Sequence, residues 1–131
     1  MMGWPWVRTI VAEAQGRPVG FAMISLEDVG AGEIDLTAIA VAPAWHSRGV
    51  GRTLLRHVEQ LARSAVAAGR PASVRLTVAE DNRRARGLFE AVGYRPVPGE
   101  EDRYPGGQRS LLLRKKLQPG GEPIPDRDPS L

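Results

Sequence analysis

The 131-residue sequence contains no cysteine, and it has no apolar run that approaches the length of a membrane span. Without cysteine there is neither a disulfide framework nor a thiolate nucleophile, so thiol-based catalysis is excluded. A helix that crosses a bilayer needs roughly 20 consecutive apolar residues, and the sequence therefore predicts a soluble protein with no membrane partner. Residues 1–6 lack the charged and apolar regions of a signal peptide, which makes a cytoplasmic location the expected one.

Lysine and aromatic residues are scarce too, with two Lys beside sixteen Arg, and three Trp, two Tyr and two Phe. Arginine suits planar, bidentate contacts to phosphate, although an Arg- and Ala-rich proteome produces the same bias without any phosphate. The acidic residues are interspersed and the aromatic side chains are too few for a base-stacking platform, which disfavours nucleic-acid binding. Neither histidine has a partner at metal-ligand spacing, so no metal site is predicted.

The length of the chain predicts one hydrophobic core and no second domain. Residues 1–117 carry the periodic apolar segments and are predicted to form this single domain. From residue 118 onward the sequence is Pro, Gly and charge with little to bury. Residues 118–131 are therefore predicted to be a disordered tail.

Apolar patterning predicts a sheet with two helices. Two strands at residues 7–14 and 18–26 flank a turn at residues 15–17, and further strands are expected at residues 33–41, 73–78, 94–97 and 110–117, with a loop at residues 98–107. Helical spacing predicts one helix over residues 49–68 and a shorter one between residues 82 and 93. A helix between the third and fourth strands indicates that these two are parallel neighbours.

The third strand alternates well enough to predict two usable faces. One face would then hold Ile34, Leu36, Ala38 and Ala40, and the other Asp35, Thr37, Ile39 and Val41.

Residues 39–55 combine an apolar run that ends at Pro43, a polar loop, and two glycines, Gly49 and Gly51, at the mouth of a helix. Glycines let the backbone approach a ligand, and the first helical turn offers unpaired N–H groups and the positive end of the dipole. The stretch is therefore predicted to be an anion site suited to phosphate. The common nucleotide motifs do not fit, because no Lys follows Gly51 as a P-loop requires, and Leu54 stands where a Rossmann fingerprint needs its third Gly or Ala.

This stretch resembles the acyl-coenzyme-A loop of the GNAT superfamily of N-acetyltransferases, which reads Val-x-Pro and then Gln/Arg-x-x-Gly-x-Gly/Ala. The first part is matched by Val41-Ala42-Pro43, and the second by residues 46–51 except at its first position, where His46 stands. A second superfamily motif, Asn-x-x-Ala-x-x-Leu/Phe-Tyr-x-x-x-Gly-Phe/Tyr, is matched except at its Tyr by Asn82, Ala85, Leu88, Phe89, Gly93 and Tyr94. The two motifs and the strand between them cover residues 33–94.

The resemblance implies an α/β fold with a mixed central β-sheet flanked by helices, here short at the N-terminus because only residues 1–6 precede the first strand. It also implies acetyl-coenzyme A as co-substrate, with the pantetheine arm along residues 39–41 and the pyrophosphate on N–H groups of the loop and helix start. The residues that it assigns to binding acetyl-coenzyme A are Ile39, Ala40, Val41, His46, Ser47, Arg48, Gly49, Val50, Gly51, Arg52, Thr53, Asn82, Ala85 and Phe89.

Transfer of an acetyl group to an amine needs a base for the amine and a proton for the departing thiolate. Asp35 stands where many family members place a Glu, and Glu33 lies on the same strand face, so either is a candidate base, directly or through water. Solvated or ion-paired acids at a strand end are the alternative. Phe89 stands where the family's Tyr would protonate the thiolate, and it has no proton to give. Tyr104, in the loop, would face either the cleft or solvent.

The sequence thus predicts an N-acetyltransferase that acetylates a primary amine of a small molecule or peptide. A non-catalytic acyl-coenzyme-A-binding module stays open, favoured by Phe89 and by the short N-terminus, and a basic nucleic-acid binder is the other alternative. The family's usual acceptor wall precedes the first hairpin, where this sequence has only residues 1–6. A homodimer is therefore expected to cover the exposed flank of the sheet.

Overall fold

The computed structural model describes residues 6–118, which form one mixed sheet with two α-helices. The elements in chain order are β1 (Val7–Ala14), β2 (Arg17–Ser25), β3 (Glu33–Val41), α1 (Val50–Ala65), β4 (Ala72–Ala79), α2 (Arg83–Ala91), β5 (Arg95–Pro96), β6 (Asp102–Arg103) and β7 (Arg109–Leu117). The strand order is β1-β2-β3-β4-β7-β5, and β6 also pairs with β7. The predicted α/β class is confirmed. The tail that was predicted from residue 118 onward lies, apart from Gln118, outside the described residues.

The first hairpin forms as its turn residues predict. Gln15 and Gly16 both have positive φ, at 54° and 74°, as both central residues of a type I′ turn require. The turn joins β1 to β2, and the two strands are antiparallel neighbours.

Two boundaries differ from the prediction. The helix expected to reach residue 68 ends at Ala65, because Val66 turns extended at φ −81° and ψ 142° and places its side chain in the core. The loop expected over residues 98–107 contains the short strand β6, which pairs with the beginning of β7. This pairing depends on the β7 register and not on the local sequence.

The two faces predicted for β3 are wrong beyond Leu36, because the strand carries a β-bulge. Met23 of β2 pairs with Ala38 of β3, while the next residue, Ile24, pairs with Leu36. Thr37 is the extra residue, and its Oγ1 donates a hydrogen bond to the Met23 carbonyl at 3.0 Å. One extra residue in a strand reverses the side-chain order beyond it. The core side of β3 therefore holds Ile34, Leu36, Ile39 and Val41, and not the alanines at residues 38 and 40.

Within residues 6–118 both helices contribute to one hydrophobic core on one side of the sheet. The opposite side carries an apolar row across three neighbouring strands: Val11 pairs with Phe21, and Phe21 pairs with Ala40. Val11 is 51% exposed and Phe21 37% exposed. We call this row, with the neighbouring Met23 and Ala38, the open-face patch.

The parallel neighbours β3 and β4 pair over a short distance only. Their register covers Glu33↔Ser73, Ile34↔Val74 and Asp35↔Arg75. Beyond this point β3 continues to Val41 along β2, and β4 continues to Ala79 along β7. A gap therefore opens in the middle of the sheet between the carboxyl halves of the two strands.

A buried charged cluster fixes α1 against the C-terminal strands. Glu59 of α1 is 7% exposed, and its carboxylate accepts from Lys115 Nζ of β7 at 2.9 Å and from the Tyr94 hydroxyl at 3.2 Å. The Tyr94 ring in turn contacts Phe89 of α2 edge-on, with ring centroids 5.9 Å apart. Burial, followed by the charge of Glu59, raises the pKa of Tyr94, so the phenol remains a donor to the carboxylate.

Candidate functional site

The gap between β3 and β4 is one end of a continuous cleft. A cavity of about 520 Å³ lies between the end of β3, the loop before α1, the first turn of α1 and α2. A second cavity of about 420 Å³ lies in the β3–β4 gap itself. The residues common to both linings are Ile39, Asn82, Ala85 and Phe89.

The first turn of α1 forms one wall of the larger cavity. Its N-cap, Gly49, is left-handed at φ 84° and contributes no side-chain cap, and no acidic residue follows in the first turn. Ser47, just before it, also has positive φ at 62°. The first N–H groups of a helix have no intrahelical partner and carry the positive end of the dipole. This wall therefore fits an anionic group such as a pyrophosphate.

The sequence predicted that the lack of a side chain at Gly51 lets the backbone approach a ligand. Packing between the two helices requires a glycine at this position as well. A Cβ placed there would lie 2.8 Å from Leu88 Cδ2 of α2, which is closer than two carbon atoms can approach without displacement. The glycine thus allows α2 to pack against the beginning of α1. The contact lies at the cleft, since both Gly51 and Leu88 line it.

Most residues predicted to bind the acyl donor line the larger cavity, although their binding role stays a prediction. These are Ile39, Ala40, Val41, His46, Ser47, Gly49, Val50, Gly51, Arg52, Asn82, Ala85 and Phe89. Asn82 is also the N-cap of α2, where its side chain accepts from the Ala85 N–H at 3.2 Å.

Arg48 and Thr53 do not line either cavity. The Arg48 guanidinium lies over the Trp45 ring, 5.1 Å from its centroid. Thr53 is buried, and both its N–H and its hydroxyl donate to the Gly49 carbonyl at 3.0 Å. Within the same loop, His46 Nε2 lies 2.9 Å from the Val41 carbonyl oxygen, so this imidazole fixes the loop against the end of β3.

The two predicted base candidates lie side by side on the open side of the sheet, and each is ion-paired. Asp35 accepts from Arg75 Nε at 2.5 Å, and Asp28 also contacts the same guanidinium. The hydrogen bond to Asp35 is the largest cause that raises the pKa of Arg75. Glu33 pairs with Arg114 at 2.9 Å. Neither carboxylate lines the two cavities, and the base role of Asp35 or Glu33 stays a prediction.

Several lining residues were not assigned to the site from the sequence, among them Trp45, Thr77, Arg84, Leu88 and Gln108. Tyr104, for which the sequence left cleft and solvent open, lines the β3–β4 gap. Arg84 and Leu88 are four residues apart on α2, so they share one helix face, and the helical period would have found them together. Tyr104 and Gln108 reach the gap through the long-range pairing of β7 with β4. No local pattern carries that information.

Comparison with known proteins agrees with this geometry. A model of the acetyltransferase (GNAT) family matches residues 2–94. The chain belongs to this family. The resemblance stated from the two motifs is thereby confirmed, and residues 33–94, which carry the motifs, lie within the matched range.

Individual relatives of this GNAT chain include N-alpha-acetyltransferase RimI of Mycobacterium tuberculosis, 38% identical over 94 residues, which are 71% of this chain and 54% of that protein. The chain thus spans about half the length of this relative. The Escherichia coli ribosomal-protein-S18-alanine N-acetyltransferase has TM-score 0.72 at 21% identity, covering 93% of this chain and 76% of the other. A GNAT acetyltransferase from Elizabethkingia anophelis with acetyl-CoA bound has TM-score 0.68 at 17% identity, covering 86% and 77%.

Two further properties concern the described part of this GNAT chain. Over residues 6–118, no three His, Cys, Asp or Glu side chains are grouped so that they could hold a metal ion. Neither α1 nor α2 is long and apolar enough to cross a membrane.

Proposed function

We propose that this chain transfers the acetyl group of acetyl-coenzyme A to the primary amine at the start of a peptide or protein. The observation that carries the proposal is the continuous cleft, which joins an uncapped helix N-terminus at one end to a split between two parallel strands at the other. Membership of an acetyltransferase family supports it.

The two ends of the cleft suit the two ends of the acyl donor. Pyrophosphate oxygens would accept hydrogen bonds from the first-turn N–H groups of α1, and Arg52 of α1 and Arg84 of α2 line the same cavity. The pantetheine amides would hydrogen-bond β3 in place of the missing β4 neighbour, in the manner of an added strand. The thioester would then lie in the β3–β4 gap, where an amine can enter from the open side of the sheet.

The lining of the cleft favours an acceptor whose amine is already partly neutral. No Asp or Glu occurs among the described residues that line the two cavities, so no carboxylate is placed to attract an ammonium group. At about pH 7.5 roughly a third of peptide α-amines is neutral, against about one Lys side chain in a thousand. An α-amine therefore suits this cleft better than a lysine. The similarity to an N-alpha-acetyltransferase supports the same choice.

The direct test combines binding with turnover. Calorimetric titration with acetyl-coenzyme A should show one site, and a thiol-release assay should show turnover with short peptides that have a free N-terminus. The same peptides with a blocked N-terminus and an internal Lys serve as the matched control and should be much poorer substrates. Equal rates with both peptide sets would refute the α-amine preference, and no binding of acetyl-coenzyme A would refute the proposal as a whole.

A non-catalytic acyl-coenzyme-A-binding module is the second candidate, and one observation favours it. Phe89 lines both cavities and has no proton to transfer. A module would bind acetyl-coenzyme A in the titration and release no thiol above the uncatalysed rate with any amine offered.

We also propose that two copies associate through the open-face patch. Phe21 pairs with Ala40, and Ala40 lines the larger cavity, so a second copy on this patch would add a wall beside the cleft. Sedimentation analysis should find a dimer for the native chain and a monomer for Phe21→Glu, while Ser64→Glu on the exposed side of α1 should leave the dimer intact. A native chain that stays monomeric across a wide concentration range would refute this assembly. The cytoplasmic location expected from the sequence likewise stays a proposal.

A further inference from the structure

The second cavity has a tyrosine on the wall that faces the beginning of α2. Tyr104 lies between β6 and β7 and lines the β3–β4 gap together with Phe89. Two backbone hydrogen bonds close the turn between β6 and β7, which form a hairpin. The Tyr104 N–H donates to the Gln108 carbonyl and the Gly107 N–H donates to the Tyr104 carbonyl, both at 2.8 Å. Tyr104 is exposed, at 38%, so solvent as well as the cavity reaches this residue.

The hairpin that carries Tyr104 is fastened to the loop between β4 and α2. Gln108 Nε2 donates to Asp81 Oδ1 at 2.5 Å. Beside it, Arg109 forms an ion pair with Glu80 at 3.1 Å, and the Glu80 N–H donates to the Arg109 carbonyl at 2.8 Å. These links connect residues far apart in the chain, and they hold the hairpin that carries Tyr104 beside the gap that this residue lines.

The other hydroxyl groups near the gap are poorly suited to give up a proton. The Thr37 hydroxyl donates to the Met23 carbonyl, and Thr77 carries an aliphatic hydroxyl, a far weaker acid than a phenol. The Tyr94 hydroxyl donates to Glu59 and lies outside both linings. Among the described residues that line the cavities, Tyr104 has the sole phenol.

We propose that Tyr104 is a catalytic residue that protonates the departing thiolate, an inference that rests on the proposed acetyl transfer. The amine nitrogen bonds to the thioester carbonyl carbon, and the carbon–sulfur bond breaks as coenzyme A leaves. The Tyr104 hydroxyl gives its proton to the sulfur, and the phenolate is reprotonated from solvent, which also receives the proton that the amine loses. The products are the N-acetylated amine and coenzyme A thiol.

The kinetic test is Tyr104→Phe, which keeps the ring and removes the proton. General-acid catalysis contributes roughly 10²–10⁴-fold, so kcat should fall by about that factor while KM for acetyl-coenzyme A changes little. Tyr94→Phe is the matched control, since it removes the other phenol from a site outside the cleft, and it should keep kcat when assayed well below its unfolding temperature. In the Tyr104→Phe background, Phe89→Tyr should restore part of the lost kcat, because it returns a phenol to the same cavity.

A second readout does not depend on turnover. Ultraviolet absorbance of the thiolate of bound coenzyme A, followed against pH, reports how strongly the protein stabilises that thiolate. A phenol that donates to the sulfur lowers the pKa of the bound thiol, so Tyr104→Phe should raise it while Tyr94→Phe leaves it unchanged. Unchanged kcat and unchanged thiol titration in Tyr104→Phe would overturn the assignment and leave acetyl transfer standing. Failure of the native chain to bind coenzyme A would overturn both proposals.

Discussion

Replacing Lys115 with Met is expected to destabilise the fold strongly, because it leaves the buried carboxylate of Glu59 without its positive partner. Lys115 Nζ donates to Glu59 Oε1 at 2.9 Å, and Tyr94 donates to the other oxygen at 3.2 Å. Methionine has nearly the shape of the lysine stem, so the change removes the charge and one hydrogen bond while the packing of β7 against α1 is kept.

The magnitude follows from burial. Removing one partner of a buried ion pair costs roughly 3–5 kcal/mol. The Lys115 side chain is 27% exposed and that of Glu59 9%, so water screens part of the interaction, and about 2–3 kcal/mol is the expected loss. For a domain of this length that loss lowers Tm by about 7–10 °C.

A double-mutant cycle measures the interaction itself. Glu59→Gln keeps an acceptor for Tyr94 and removes the negative charge, and Lys115 can then turn toward water, so this single change should cost about 1 kcal/mol. The double variant Glu59→Gln/Lys115→Met has no buried charge and should be at least about 1 kcal/mol more stable than Lys115→Met alone. Urea unfolding followed by circular dichroism gives all four free energies. If the two single losses add to that of the double variant, the ion pair does not hold α1 against β7 and the reasoning is wrong.

Three further predictions concern single positions. The pKa of Tyr94 is raised in the fold, while an unfolded tyrosine titrates near pH 10. The contribution of Tyr94 to stability is therefore complete below about pH 10 and falls above it by about 1.4 kcal/mol per pH unit. Urea unfolding of Tyr94→Phe at increasing pH should lack this part of the fall, and a pH dependence equal to that of the native chain would contradict the prediction. Gly51→Ala places a Cβ 2.8 Å from Leu88 Cδ2 and should weaken acetyl-coenzyme A binding measured by calorimetry, with an unaltered affinity in a folded variant counting against the packing argument. Asp35→Asn loses a partly exposed ion pair with Arg75 and should cost about 1 kcal/mol; if the variant keeps full kcat, Asp35 is not the base.

The helices and strands of this fold were predictable because each depends on a sequence pattern that spans only a few neighbouring residues. The αL turn at Gln15 and Gly16, the amphipathic stripe of α1 and the Asn82 cap of α2 all depend on neighbours within a few residues. The helix start that carries the proposed anion site was predictable from the same local chemistry, because a helix that begins at Val50 leaves its first N–H groups without intrahelical partners whatever the remainder of the chain does.

The rest depends on relations between strands that no single segment contains. The bulge at Thr37 arises because β3 has one residue more than β2 between two neighbouring pairs. The sequence of β3 alone cannot reveal such a mismatch between two strands. The pairing of Asp35 with Arg75 follows from the β3–β4 register. The placement of Tyr104 beside the gap follows from the pairing of β7 with β4, and the hydrogen bond from Gln108 to Asp81 joins two loops there that are remote in sequence.

The short β3–β4 junction has a consequence for cooperativity. With three residue pairs between the two strands, the sheet consists of two lobes, and α1 packs across the boundary because it contacts strands of both. Such a hinge is a weak point, so amide hydrogens of residues 36–41 that face the gap should exchange faster than those of residues 33–35. A ligand that bridges the lobes would stabilise the whole by about 2.7 kcal/mol at a hundred times its Kd. Occupancy of the cleft would therefore make two loosely coupled lobes unfold as one.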